Sequence, residues 1–303
     1  MEVIKADEIQ HLEGPLAVAI GFFDGIHLGH QAVIKQAVDY AKKAEIASLV
    51  ITFDRSPKQA FQNLEMSYLT PIREKAIILS RLGVHKLLVL PFNEQLINTS
   101  AEDFIQNYLI ALDVEFISVG FDFRFGTGAI GDVSTLLDYG DKFKMTIVGS
   151  KNTDGTKISS TQLRKSLTEG DVATASKLLG RNYQVKGRVV KGNQLGRTIG
   201  FATANIELED QYVLPKPSVY ATMIHVDGNA YASMTNIGHN PTFNATSELS
   251  IETHILDFEA DIYDKNVQLD FIERIRDEQK FTEIDELVAA LEQDKAKVRG
   301  MKI

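Results

Sequence analysis

Two histidines three residues apart form the group of side chains in this sequence best suited to chemistry. His27 and His30 end a glycine-rich segment, Gly21-Phe-Phe-Asp-Gly-Ile-His-Leu-Gly-His30. This segment directly follows an apolar run, Leu16–Ile20, and directly precedes Gln31–Lys43, which has helical spacing. The backbone N–H groups and dipole at a helix N-terminus favour phosphate, and an imidazole N–H can donate to a phosphoryl oxygen. The pattern therefore predicts a phosphate site where a strand ends and a helix begins.

The same segment has two alternative interpretations. A pair of histidines on one helical turn could bind zinc, although no third ligand with suitable spacing is evident. The segment could also be a simple glycine-rich turn with surface histidines. Gly21, Gly25 and Gly29 favour the phosphate interpretation, because glycine lets a ligand approach the backbone closely.

A second group of hydrogen-bond donors lies in Ile158-Ser-Ser-Thr-Gln-Leu-Arg164. Three consecutive hydroxyl groups precede a helical pattern, and an arginine side chain can grip phosphate with two parallel donors. A Ser/Thr cluster before a helix is usually only a cap. Together with the histidine segment, it becomes a candidate second half of a phosphate site.

The composition restricts the class of protein. The chain has 303 residues, 44% of them hydrophobic and 24% charged, which suits a folded protein of two domains. A formal charge of -9 argues against a nucleic acid as partner, and the lack of cysteine excludes disulfides and thiolate chemistry. No signal peptide or membrane span is evident, so we expect a cytoplasmic protein without a membrane partner.

The first half alternates strands and helices. This rhythm predicts an α/β domain with a parallel sheet covered on both faces, where ligands bind at the carboxyl ends of the strands. The predicted strands are Leu16–Ile20, Ser48–Phe53, Lys86–Phe92, Ile117–Gly120 and Met145–Val148, and the predicted helices Gln31–Lys43, Pro71–Leu82 and Ser100–Leu112.

After about Gly180 the pattern becomes all-β and favours an antiparallel barrel. A final helix is predicted from Thr282, with Thr282 and Asp285 capping its start. We place the domain boundary near Arg181–Gln184, which gives domains 1–182 and 183–303. The predicted strands are Gln184–Val190, Val219–Val226, Tyr231–Asn236, Ile251–Phe258 and Val267–Ile272.

The histidine segment resembles the ATP-binding motif of the nucleotidyltransferase superfamily in its FAD-synthetase form. The hydroxyl segment at 158–164 matches that family's second phosphate element. The resemblance implies that His27, His30 and Arg164 are catalytic, and that Asp122 and Phe125, in Gly120-Phe-Asp-Phe-Arg-Phe-Gly126, contact the flavin. It implies ATP contacts for Gly21, Phe22, Asp24, Gly25, Ser159, Ser160 and Thr161.

The second half is similar to riboflavin kinase. In Gly192-Asn-Gln-Leu-Gly-Arg-Thr-Ile-Gly200, followed by Phe201-Ala-Thr-Ala-Asn205, the resemblance implies that Gly192, Gly196 and Gly200 contact ATP. It implies that Thr203 and Asn205 hold Mg²⁺, since side-chain oxygens suit a hard cation that also keeps water and phosphate ligands. In Glu252-Thr-His-Ile-Leu-Asp-Phe258, Glu252 is the implied base that accepts the proton of an attacking hydroxyl.

Three positions depart from the pattern of the family. Thr52-Phe-Asp-Arg-Ser-Pro57 lacks a Pro-His-Pro run, so that ATP contacts are weakened or Arg55 replaces the histidine as phosphate partner. Ala202 stands for a proline, which removes a rigid φ angle but not a ligand, and Ser218 stands for a glycine, which is a small loss of backbone freedom.

Together, the motifs resemble the bifunctional riboflavin kinase/FMN adenylyltransferase family along nearly the whole chain. This implies a Rossmann-like nucleotidyltransferase domain, then a six-stranded antiparallel β-barrel kinase domain with a C-terminal helix. The implied ligands are riboflavin, FMN, FAD and ATP, with Mg²⁺ as cofactor; the oligomeric state is open. The alternatives are an enzyme with one decayed domain and a flavin-binding regulator without turnover.

Overall fold

The fold is described from a computed structural model that covers residues 1–56, 67–153, 155–192, 195–239 and 249–301. The chain packs as two compact units, Met1–Ser160 and Thr161–Ile303. Pro57, the last residue of the segment that departs from the family pattern, lies outside the described residues.

The first unit is built on a six-stranded sheet in the order β1-β4-β3-β2-β5-β8, in which all neighbouring strands are parallel. This confirms the predicted parallel sheet. The edge strand β1 was not predicted, because four residues with one buried side chain give almost no pattern. The strands are β1 (Glu2–Lys5), β2 (Leu16–Ile20), β3 (Ala47–Phe53), β4 (Lys86–Leu90), β5 (Val114–Gly120), β6 (Arg124–Phe125), β7 (Gly131–Asp132), β8 (Lys144–Val148), β9 (Asn152–Thr153) and β10 (Thr156–Lys157).

Both faces of this sheet are covered, as β2 illustrates. All five of its residues are buried, and successive side chains enter two different apolar clusters. The predicted helix Ser100–Leu112 begins as expected, since Ser100 Oγ accepts from the Asp103 N–H at 3.0 Å, but it continues as a π-helix over Gln106–Ile110. The α-helices are α1 (Leu28–Ala44), α2 (Ile72–Arg81), α3 (Glu94–Asn98), α4 (Ala101–Ile105) and α5 (Val133–Leu137).

The second unit is a closed antiparallel barrel in the order β11-β12-β15-β14-β13-β16. Its strands are β11 (Tyr183–Val190), β12 (Ala204–Leu208), β13 (Ser218–Val226), β14 (Asn229–His239), β15 (Leu249–Ile255) and β16 (Asn266–Asp277). The helices around it are α6 (Ser160–Glu169, which starts at the last residue of the first unit), α7 (Val172–Leu179), α8 (Leu195–Thr198) and α9 (Ile284–Gly300).

Hydroxyl groups fill part of the barrel interior. Thr222 Oγ1 lies 2.8 Å from both Ser233 Oγ and Thr235 Oγ1, and Thr235 Oγ1 lies 2.9 Å from Thr253 Oγ1. All four side chains are buried, and each polar atom has a partner, as buried polar groups require.

The predicted cap of the final helix was wrong. The helix begins at Ile284, its N-cap residue is Glu283, and no side chain caps it. Thr282 therefore lies one residue outside the position from which its hydroxyl could accept from the first turn. Val288 and Leu291 pack against a buried cluster on the barrel, whereas Ile284 is 65% exposed.

Helix α9 is tied to β16 by a buried ion pair. Arg276 Nε and Nη2 each lie 2.9 Å from Asp294 Oδ2, and Asp294 is buried. We expect Arg276→Met to destabilise the barrel by about 3–5 kcal/mol, because it leaves a buried carboxylate without its partner. Hydrogen exchange of β16 and α9 peptides along a urea series measures this.

A matched control is Arg299→Met. Arg299 pairs with Asp257 at the surface, where both side chains are more than half exposed. Loss of that pair is expected to cost under about 1 kcal/mol. If Arg276→Met and Arg299→Met destabilised the barrel equally, burial of the ion pair would not be the cause of its larger contribution.

Candidate active sites

The turn after β2 brings the two predicted histidines together at the start of α1. His27 is the N-cap residue, and its Nδ1 accepts a hydrogen bond from the His30 N–H at 3.2 Å. The two imidazole rings stack, with centroids 3.6 Å apart and planes inclined by 20°. A Cβ on Gly29 would lie 3.1 Å from the His27 ring, so the small residue between the histidines permits this packing.

His30 is held in a form that can serve a ligand. Its pKa is lowered well below 6.5, first by burial, then by His27 and Lys75, so the ring is neutral near physiological pH. Its Nδ1 is buried and has no hydrogen-bond partner within the described part of the chain. A buried polar atom without a partner is unusual in a native protein and suits a ligand contact.

The backbone of this turn is strained and anchored. Phe23 and Ile26 have positive φ values of 50° and 41°, which residues other than glycine rarely adopt. The buried carboxylate of Asp24 accepts from the N–H groups of Leu69 and Thr70, at 3.0 and 3.1 Å. Asp24 therefore holds the turn in place through its own side chain.

The predicted hydroxyl segment reaches the same turn. Ser160 Oγ donates to the main-chain oxygen of Asp24 at 2.8 Å. Ser159 is half-buried beside it, whereas Thr161 is exposed and Arg164 is half-buried on α6, in the second unit. Of the predicted ATP contacts, Gly21 and Phe22 are half-buried and Gly25, with φ of 88°, is buried.

Lys75 is a residue of this region that the sequence analysis missed. Its Nζ donates to the Phe22 carbonyl at 2.6 Å and to Thr52 Oγ1 at 3.0 Å. It is 1% exposed, and burial lowers its pKa to about 8, against an opposing contribution from Asp24. The sequence feature that could have identified Lys75 is its position on the same helical face as Ile78 and Leu79, where an apolar residue is expected.

The predicted flavin residues lie in different environments. Asp122 is exposed, with an oxygen 4.0 Å from Lys157 Nζ. Phe125 is buried in the core against Phe104, with ring centroids 5.3 Å apart. Phe121, not singled out from the sequence, is the ring of this segment that faces outward, 47% exposed.

Arg55 lies at the surface in this structure. Its Nε is 3.6 Å from Asp54 Oδ1, and about half of its side chain is exposed. An exposed and weakly paired guanidinium remains available for phosphate.

In the barrel, strand register aligns Glu252 with two carboxamides. Glu252 on β15 lies directly opposite Asn205 on β12 and directly opposite Asn236 on β14. Directly opposed residues share a face of the sheet, and the next row, with Thr253 and Thr235, forms the interior. Glu252 is half-buried, and burial raises its pKa, so this carboxylate is a stronger base than an exposed one.

The predicted loop glycines each have a physical reason. A Cβ on Gly192 would meet Asn205 Nδ2, and a Cβ on Gly196 would meet the Phe201 carbonyl, so both allow close approach. Gly200 has a φ of 83°, a conformation that other residues rarely adopt. Gly192 is thereby placed against Asn205.

A cavity of about 380 Å³ opens beside this loop. Thr203 lines it together with the charged residues Arg197, Glu259 and Asp261 and with apolar residues that include Val189, Ile255 and Ile262. His254 Nδ1 donates to the carbonyl of Ala202, another lining residue, at 2.8 Å. A concave cavity lined by both apolar and polar residues is typical of a site for a small molecule.

Neither candidate site contains a preformed set of metal ligands among the described residues. Within the described ranges, no group of three or more His, Cys, Asp or Glu side chains could hold a metal ion. Thr203 and Asn205 instead provide neutral oxygens, which fit a cation that draws further ligands from water and phosphate.

The two halves of the chain match two protein families. Residues 9–162 match the family described as FAD synthetase, and residues 179–302 match the family described as riboflavin kinase.

Curated relatives along nearly the whole chain carry a name that combines two activities. The bifunctional riboflavin kinase/FMN adenylyltransferase of Listeria monocytogenes is 42% identical, covering 93% of this chain and 91% of that relative. The Bacillus subtilis protein of the same name is 37% identical over 97% and 96%, and the one from Escherichia coli K12 is 35% identical over 93% and 91%.

The full length of the chain is also similar to a solved structure. A protein of Streptococcus pneumoniae named as a macrolide-efflux protein has a TM-score of 0.92 and 34% identity, covering 100% of both chains. In the present chain, none of the helices in the described ranges is long and apolar enough to cross a membrane.

Proposed function

The chain belongs to the bifunctional riboflavin kinase/FMN adenylyltransferase family, and we propose that it carries out both reactions: riboflavin to FMN, and FMN to FAD. We assign adenylyl transfer to residues 1–182 and the kinase reaction to residues 183–303. The observation that carries the proposal is the chemical difference between the two sites. One offers two stacked imidazoles, of which the His30 ring is kept neutral by its lowered pKa, and the other offers a half-buried carboxylate of raised pKa.

The kinase reaction needs a base. The riboflavin 5′-hydroxyl forms a bond to the γ-phosphorus of ATP, ADP leaves, and the hydroxyl proton passes to Glu252. Thr203 and Asn205 are proposed to hold Mg²⁺, which neutralises charge on the phosphates when bound. The loop with Gly192, Gly196 and Gly200 and the adjoining cavity are proposed to hold the rest of ATP.

Adenylyl transfer needs no base. An oxygen of the FMN phosphate, already anionic, bonds to the α-phosphorus of a second ATP, and pyrophosphate leaves. His27, His30 and Arg164 are proposed to stabilise the charge that develops on the phosphoryl oxygens, and Ser159, Ser160 and Thr161 to help place the phosphates. Catalysis at this site is therefore placement and electrostatic stabilisation.

The flavin is proposed to lie along the segment after β5. Asp122 and the outward-facing ring of Phe121 are available there, whereas Phe125 would support the segment from the core. A cytoplasmic location is part of the proposal, because both reactions consume ATP.

The direct test is a time course. Purified protein is incubated with riboflavin and MgATP, and the flavins are separated by chromatography. FMN that appears and then gives way to FAD is the expected result. FMN alone, or FAD only from supplied FMN, would identify an enzyme with one active domain, and no product in either case would identify a binding protein.

The pH dependence of the kinase reaction tests the base. Because burial raises the pKa of Glu252 above 4.5, protonation removes the base at a higher pH than for an exposed carboxylate. We therefore expect kcat/KM for riboflavin to fall with decreasing pH, with an apparent pKa above 4.5. Adenylyl transfer from supplied FMN serves as the reference, and an acid limb identical in the two reactions would contradict this assignment.

A further inference from the structure

Lys75 is a buried cation that neither proposed reaction uses. Its neighbours on the same helical face, Ile78 and Leu79, show that an apolar side chain would satisfy packing at this position. A buried ammonium is costly unless its donors are satisfied, so its presence calls for a specific partner. That partner is the turn that carries the histidines.

We propose that Lys75 is a positioning residue for adenylyl transfer: it holds the Phe22 carbonyl and thereby fixes the backbone that places His30. The inference rests on the proposed function of the histidine site and adds a residue to it. Lys75 is enclosed, and its identified donations go to protein atoms, so it acts through the turn.

The contacts form a closed triangle. The Phe22 carbonyl accepts from Lys75 Nζ at 2.6 Å and from Thr52 Oγ1 at 2.9 Å, and Lys75 Nζ also donates to Thr52 Oγ1 at 3.0 Å. The Lys75 ammonium further lies 4.7 Å from the centroid of the Phe22 ring. Two donors on one oxygen leave the Phe22–Phe23 peptide little freedom to rotate.

The constraint reaches His30 through one residue. In a trans peptide the C=O and N–H point in opposite directions, so fixing the Phe22 carbonyl also fixes the Phe23 N–H. Phe23 has a positive φ of 50°, and its ring meets the His30 ring edge-on at 5.3 Å. Lys75 therefore stabilises a strained residue that packs directly on a proposed catalytic ring.

The charge of Lys75 also affects His30, in addition to the contacts that Lys75 makes with the turn. Lys75 contributes, after burial and His27, to lowering the pKa of His30. The other charged group that faces Lys75 is Asp24, which raises the pKa of the lysine. A lysine that is charged at neutral pH thus helps to keep the His30 imidazole neutral.

The experiment compares Lys75→Met, Thr52→Val and the double variant, with FMN supplied. Since small misplacement of catalytic groups costs about a hundredfold, we expect Lys75→Met to lower kcat for FAD formation by about that factor, with KM for ATP nearly unchanged. Thr52→Val, which removes the weaker donor, should lower kcat less. The double variant should be no slower than Lys75→Met, because both residues act through one carbonyl oxygen.

A second readout separates positioning from general stability. In NMR titrations of the histidine rings, Lys75→Met should raise the pKa of His30, whereas Arg73→Met should leave it and FAD formation unchanged. Arg73 is exposed on the same helix and loses the same charge. If Lys75→Met does not fold, the wild-type His30 ring signals should show a second step near pH 8, where Lys75 loses its proton.

The outcomes are distinct. A wild-type kcat for FAD formation in Lys75→Met would overturn the role of this residue while leaving the histidine site intact. A His30 titration that does not respond to Lys75 would do the same. Normal FAD formation in a His30→Ala variant would instead overturn the proposed function of the site itself.

Discussion

Glu252→Gln is expected to slow phosphorylation of riboflavin by orders of magnitude and to leave adenylylation of supplied FMN at the wild-type rate. The substitution keeps the shape of the side chain but removes its ability to accept a proton. General-base catalysis contributes roughly 10²–10⁴-fold, so kcat for FMN formation should fall within that range.

Glu273→Gln is the matched control for this prediction. Glu273 is an exposed glutamate on β16 of the same barrel, so the variant makes the same charge change away from the row of carboxamides. It should phosphorylate riboflavin normally. Near wild-type kinase turnover in Glu252→Gln would show that another group accepts the proton and would withdraw the assignment.

Local pattern was enough to predict that the two histidines lie together where a strand ends and a helix begins. The capping contact between His27 and His30 spans three residues, and the flanking strand and helix are continuous in sequence. Such short-range geometry follows from residue type and spacing alone. The same holds for Ser100 at the start of α4.

The register between neighbouring strands of the barrel could not be predicted from the sequence. Asn205, Glu252 and Asn236 form one row only because β12, β15 and β14 are neighbours in the barrel, which strand pattern does not reveal. Strand β12 itself was missed, since it begins at Ala204 within a segment interpreted as a loop. The number of six strands came from the family resemblance.

The burial of particular charged side chains also could not be predicted from the sequence. Lys75 and Asp294 are charged residues on helices, where sequence reasoning expects solvent, yet each is buried with a partner from a distant segment. In the segment after β5, sequence could not decide which phenylalanine faces outward. The structure shows Phe121 exposed and Phe125 in the core.

The double variant His27→Ala, His30→Ala is expected to reverse the result for Glu252→Gln. Riboflavin should still be converted to FMN, which then accumulates because FAD formation fails. Loss of one preorganised donor to a developing oxyanion costs on the order of 10²–10³ in kcat. The stacked rings form one unit, so the double variant should be little slower than His30→Ala alone.

His27 also caps α1, so a stability effect must be separated from a catalytic one. His27→Asn provides this separation, because asparagine is among the best N-cap residues but has no imidazole ring. It should keep the stability of the first unit while FAD formation still falls, since His30 loses the ring stacked on it and the site loses a donor. If His27→Asn restored FAD formation to the wild-type rate, His27 would serve the fold alone, and stabilisation of the transition state would rest on His30 and Arg164.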